Sequence, residues 1–207
     1  MTKKENIHYQ AKFTAGGLLL KECDRAIPFL IENGIGMAQI LRDNPESLGT
    51  NSLSSRIRMV REILYRFKAL DVMVWKDYPG LPIRDRSIVL HMSCLLAYPI
   101  LRDFHFKVVV RKWKELATQV TLSDFRKFLD EVSAQHPEIE EWTESTQTKM
   151  GTVSIRMLEE ANFIQHGKLK SPEVGLQCLN LIVNSSNMWY LEALLIPKPK
   201  REELIKK

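Results

Sequence analysis

His91 and Cys94 lie three apart in an apolar stretch, a spacing that puts both side chains on one helical face. They are the nearest approach to a metal pair in this chain of 207 residues. A zinc site needs three or four protein donors, and buried His and Cys are common as core residues, so the pair reads as core. His8, His105, His136 and His166 have no carboxylate or nucleophile at motif spacing. There is no phosphate-binding loop ending in Gly-Lys-Ser/Thr, no Gly-x-Ser-x-Gly and no His-Glu-x-x-His. Gly16-Gly17 opens a helix with no strand before it, which suits a tight turn better than a nucleotide cradle. Cys23, Cys94 and Cys178 are odd in number and far apart, which argues against a disulfide framework and fits a reducing cytoplasm. The expectation is a cytoplasmic protein with no enzyme activity, no cofactor and no metal.

What the chain does have is cation chemistry. Its formal net charge is +5, a moderate excess that attracts polyanions. The densest run is Asn51 to Lys68, where Arg56, Arg58, Arg61, Arg66 and Lys68 face Glu62 as the one acid. A helical period sets Arg58, Arg61, Tyr65 and Lys68 on one side, away from an apolar stripe of Ile57, Val60, Leu64 and Phe67. Ser52, beside Asn51 and Ser54 at the start of that helix, adds hydroxyl and backbone donors for phosphate oxygens. Ser52, Arg56, Arg58, Arg61 and Lys68 are the candidate contacts there. The competing reading is a solvated face with Glu62 as a local partner.

A second candidate spans Ser145 to Lys170. A helix, then Asn162 in the left-handed position that ends it, then Phe163-Ile164 and a turn at Gly167 have the layout of a winged helix-turn-helix. In such a unit the second helix enters the major groove, N-terminal end first. Thr146, Gln147, Lys149 and Arg156 are then the contacts from the helix, and Lys168 and Lys170 those from the wing. The alternative is an amphipathic core helix and a connecting loop, and Gly151 weakens the helix by about 1 kcal/mol relative to Ala. Lys107, Arg111 and Lys114 form a third basic stripe, read as the wet side of a packed helix, with Val108, Trp113 and Leu116 facing the core. Asp130 to Glu144 holds six acids and no Lys or Arg; this stretch turns away from DNA, meets a basic protein, or is simply solvated.

The elements that must position these residues are almost all helical. Thr14 reads as the N-cap of a helix through Leu18 to Ile27, with Pro28 kinking it or starting the next. Thr121 and Asp124 have capping-box spacing ahead of Phe125, Phe128, Leu129 and Val132. Met150, Val153, Met157, Leu158 and Ala161 make the core face of the following helix. Residues 84–97 read as a buried helix, Pro99 as the first turn of the next, running to about Thr118. Ser171-Pro172-Glu173 opens a C-terminal helical region with a break at Asn184 to Asn187, and Pro197 onward reads as a tail. The fold class is all-α, a compact multi-helix protein with helix-turn-helix elements and a short wing-like hairpin near 163–170. Two regions are expected, 1–78 with the basic helix 52–70, and 83–207 with the winged-helix-like segment 121–170, packed as one unit around the Tyr78–Pro82 loop. Ser87 to Leu101 is shorter than the roughly 20 apolar residues that span a bilayer, and the opening Met1 to Asn6 lacks the apolar core of a leader. No membrane association is expected.

Three segments carry a family resemblance: Phe13-Thr-Ala-Gly-Gly-Leu-Leu-Leu-Lys-Glu22, Asn51 through Arg66, and Tyr98-Pro-Ile-Leu-Arg-Asp-Phe-His-Phe-Lys-Val-Val-Val-Arg-Lys-Trp113. In order and spacing the chain resembles the BrxA family of bacteriophage exclusion (BREX) defence systems. The resemblance implies an all-helical protein that binds double-stranded DNA without known catalysis, beside methyltransferase and ATPase components. Its expected partners are double-stranded DNA and other BREX proteins, with a monomer as the favoured state. The alternative function is an adaptor that scaffolds other defence components without touching DNA.

Overall fold

The computed structural model describes residues 8–206. A 3-10 turn (Lys12–Ala15) leads to α1 (Leu20–Asn33), α2 (Ala38–Asp43), α3 (Leu53–Ala69), α4 (Val72–Asp77) and α5 (Ile83–Ala97). Next, α6 (Pro99–Phe104) passes through a π-helical stretch (His105–Val110) into α7 (Arg111–Lys114), followed by α8 (Leu122–Ser133) and α9 (Glu144–Glu160). A hairpin of β1 (Ile164–Gln165) and β2 (Lys168–Leu169) precedes α10 (Leu176–Asn184), α11 (Tyr190–Ala193) and α12 (Lys198–Ile205). The fold is all-α, and the two-residue strands make the only sheet among the described residues. The Met1 to Asn6 opening lies outside them.

Local chemistry starts several of these elements where the sequence places them. Ser52 caps α3, its Oγ accepting from Ser55 N–H. Thr121 and Asp124 form a reciprocal box on α8. Pro99 takes the first turn of α6, where its missing N–H costs nothing. Asn162 (φ 61°) stops α9, and His166 (φ 51°) with Gly167 (φ 73°) turns the hairpin, the two left-handed residues a tight hairpin demands. The register pairs Ile164 with Leu169 and Gln165 with Lys168. Lys170 N–H donates to Phe163 O at 2.9 Å, and Leu169 N–H donates to Thr118 O at 2.7 Å, so the segment ahead of α8 is tied to the hairpin.

Elsewhere the structure departs from the periodic reading. The first long helix begins at Leu20, not after Thr14, because Gly16-Gly17 and the left-handed Leu19 turn the chain first. On α3 the buried face is Arg56, Val60, Ile63 and Phe67 with Glu62 and Arg66, while Ile57 is exposed. The helix is rotated because two arginines there are satisfied by backbone carbonyls and a carboxylate, as a buried polar group must be. The helix after Pro99 stops at Lys114, and Leu116 is 87% exposed at φ 60°, not in the core. The C-terminal helical region begins at Leu176, not Ser171: Pro172 is buried and Gly175 N–H donates to Asp85 Oδ1 at 3.0 Å, placing the helix start after it. Pro197 onward is no tail; it folds as α12, with Arg201 reaching Glu192 at 3.5 Å.

Buried side chains from Tyr9 to Ile196 form one continuous core. At its centre α5 is buried nearly all round, as expected of a helix that is apolar on every side. No single helix among the described residues is long and apolar enough to cross a membrane; the α5 and α6–α7 pair has the length but bends by 111°.

Candidate nucleic-acid interface

The core stripe Met150, Val153, Met157, Leu158 and Ala161 is buried throughout, and this fixes which side of α9 meets water. Lys149, Thr152 and Arg156 are exposed at steps of three and four, so they share one face. Thr146 is half-buried at the first turn, next to the Thr143 cap, with 3.0 Å between their hydroxyls. Gln147 is turned inward to the preceding connection, its Nε2 donating to Trp142 O at 3.3 Å and Ile139 O at 3.4 Å. Lys168 and Lys170 are exposed on and just beyond β2. Gly151 has a structural role that the propensity argument missed: a Cβ there would collide with Leu122 and come within 3.0 Å of Phe125 Cδ1. Its absence lets α8 and α9 approach closely, and that contact aims the exposed face of α9.

On α3, Arg58, Arg61, Tyr65 and Lys68 are all exposed. Ser52 is exposed too, though its Oγ already serves as the cap and lies 3.0 Å from Ser54 Oγ. Arg56 is not a surface cation. It is buried, with Nε donating to Arg42 O at 2.6 Å and an Nη to Thr50 O at 2.8 Å, so it fastens α2 and the loop before α3. Arg66 is deeper still, paired to Glu62 at 2.7 Å and donating to the carbonyls of Leu18 and Gly17 at 3.0 and 3.2 Å. Of the third stripe, Lys107 and Lys114 are spent on Asp103 and Glu192 at 3.6 and 2.6 Å. In the acidic stretch Glu138 is withdrawn from the surface, accepting from Tyr9 N–H at 2.6 Å.

Sequence reasoning missed a polar node, buried at Glu62 and Arg66 and open to solvent at Glu160, that joins these surfaces. Arg66 holds the carbonyls of Gly17 and Leu18, while Glu160 at the end of α9 accepts from Leu18 N–H. Tyr98 O–H donates to Glu62 at 2.6 Å. A Cβ at Gly17 would collide with the Glu160 carboxylate, so a larger residue there would push that side chain aside. The signal available in the sequence was the Gly16-Gly17 pair together with an acid and an arginine four apart on α3.

His91 and His105 are buried and their rings lie 5.0 Å apart. His91 Nδ1 is 2.7 Å from Tyr190 Oη, and His105 Nε2 is 2.8 Å from Ala193 O. Cys94 is buried in the same core, and no group of three or more metal-ligating side chains occurs among the described residues.

The class these observations define is an all-α protein that presents two basic helical faces, one flanked by a hairpin, with the peptide around Gly17 between them. The BrxA family model matches residues 7–182, and the chain belongs to the BrxA family. The BREX protein BrxA of Escherichia coli O9:H4 (strain HS) is 24% identical over 153 residues, covering 72% of this chain and 71% of that protein. The crystal structure of an uncharacterized protein from Magnetospirillum magneticum shares the fold, with a TM-score of 0.75 at 19% identity over 91% of this chain and 98% of that one.

Proposed function

We propose that this BrxA family member is a non-catalytic accessory protein of a BREX phage-defence system, acting in the cytoplasm by binding double-stranded DNA beside other BREX components. The observation that carries the reading is the α8–α9–hairpin unit with its exposed row of cations. Two helices joined by a connection that carries a 3-10 turn (Pro137–Ile139), a following hairpin, and the Leu169–Thr118 bond support reading this unit as a winged helix-turn-helix with an extended turn. Lys149 and Arg156 on α9, and Lys168 and Lys170 on the hairpin, face solvent in the positions where such units meet phosphates. The α3 face with Arg58, Arg61 and Lys68 supplies a second phosphate-binding surface. The BREX assignment rests on the family and on the name of the Escherichia coli relative.

The test is fluorescence-anisotropy titration of a labelled duplex across a salt series. Four to six phosphate contacts give a slope of log K against log salt of about −4 to −5. Lys149→Glu with Arg156→Glu, and separately Arg58→Glu with Arg61→Glu, should each weaken binding by about tenfold or more, since every phosphate left without its cation keeps its bound counterions. No binding at low salt, or full affinity in both double variants, overturns the reading and leaves the adaptor role in its place.

A further inference from the structure

The cationic face of α3 borders a groove of about 290 Å³, lined by Lys12, Arg42, Arg61 and Lys68 and by the rings of Tyr65 and Tyr98. None of the four cations forms an ion pair among the described residues. The one carboxylate in the lining, Glu62, is already engaged by Arg66 at 2.7 Å and by Tyr98 O–H at 2.6 Å. Arg42 is held in place through its own carbonyl, which accepts from Arg56 Nε at 2.6 Å. Its Nη1 donates to Gln39 at 3.1 Å, yet its Nε is buried with no hydrogen-bond partner. A buried guanidinium donor left unmade is costly, and the accessible end of Arg42, not its Nε, is what the groove offers. Tyr65 is 43% exposed, with its ring 5.1 Å from that of Tyr98, so the same groove offers an aromatic wall.

We propose that this groove binds one nucleoside 5′-phosphate, the phosphate among Lys12, Arg42, Arg61 and Lys68 and the base against Tyr65. Converging cations meet phosphate oxygens, while an exposed aromatic ring stacks on any base. The groove is too small for a duplex, so its ligand is a free mononucleotide or an unpaired nucleotide at a strand end. The strand-end source rests on the DNA reading above; the free-nucleotide source does not.

The test is isothermal titration calorimetry of the full chain with dAMP, deoxyadenosine and inorganic phosphate. Anisotropy with duplexes bearing a short 5′ overhang, phosphorylated or not, distinguishes the strand end from the free nucleotide. The expected result is that dAMP binds at least about tenfold tighter than either fragment, as stacking and phosphate contacts combine. Tyr65→Leu then weakens dAMP about tenfold while leaving phosphate unchanged, and Arg42→Gln weakens both. Tyr65 is exposed, so its variant should fold as the parent does, with an unaltered thermal melt. Equal affinity for dAMP and its fragments, or dAMP binding indifferent to both substitutions, overturns the proposal. Duplex binding without dAMP binding sinks the groove and keeps the DNA reading; the reverse keeps the groove alone.

Discussion

Two imidazoles sit in the core where a proton has no favourable place. Tyr190 O–H donates to Ile88 O at 3.1 Å, so His91 Nδ1–H must be the donor toward the tyrosine oxygen. His105 donates from Nε2 to Ala193 O, and its buried Nδ1 has no partner, which suits a neutral ring carrying a lone pair there. Burial pulls His105 down to about 4 against a weaker opposing pull from the Ala193 carbonyl, and pulls His91 well below its ordinary value with help from His105. In the unfolded chain both take a proton near 6.5. Neither is protonated in either state above that pH, so the stability they permit is complete there. As pH falls from about 6.5 toward 4, the unfolded state alone gains protons, and each histidine removes about 1.4 kcal/mol per pH unit. Urea unfolding across that window should show this slope. His105→Gln, which keeps an N–H for Ala193, should flatten it by one histidine's share; an unchanged slope would mean these rings are not buried neutral.

At the scale of elements, the contact between α8 and α9 decides how the proposed DNA face is presented. On an exposed helix, Gly→Ala adds about 1 kcal/mol of stability. Gly151→Ala should instead cost about 1–3 kcal/mol through overpacking against Leu122 and Phe125, read from the urea midpoint at constant m. A stabilised variant would show that the two helices are not tightly packed there. This position also shows where sequence reading runs out. The cap at Thr121, the core stripe of α9 and the turn at Gly167 were legible because each rests on local chemistry or on an uninterrupted apolar period. The register of α3 was not. Its inner face is built partly from Arg56, Glu62 and Arg66, and an apolar period cannot count charges whose partners lie elsewhere in the chain. Gly151 looked like a defect for the same reason, since its justification sits on another helix. The groove beside α3 also drew on distant residues, Lys12, Arg42 and Tyr98, and only the folded chain gathers them.

At the scale of the whole molecule, the three segments that carry the family resemblance meet at one place: Gly17, Glu62 with Arg66, and Tyr98. Gly17→Ala should displace the flexible Glu160 side chain and forfeit its bond to Leu18 N–H, a charge-assisted interaction of about 1.5–3 kcal/mol. Glu160→Ala loses the same bond by another route. The two substitutions should therefore be sub-additive, the double variant costing little more than the larger single one in a thermal or urea double-mutant cycle. Full additivity would show that the two residues act independently. Through this one peptide, the C-terminal half of α3 and the last turn of α9 are gripped from opposite sides, by Arg66 and by Glu160. The helices that carry the two basic faces are thereby coupled through one backbone link, as two jaws share a hinge pin. If both faces contact one duplex, any mismatch between their spacing and straight DNA is taken up by bending, and sequences that bend easily would then be favoured at base pairs no side chain touches.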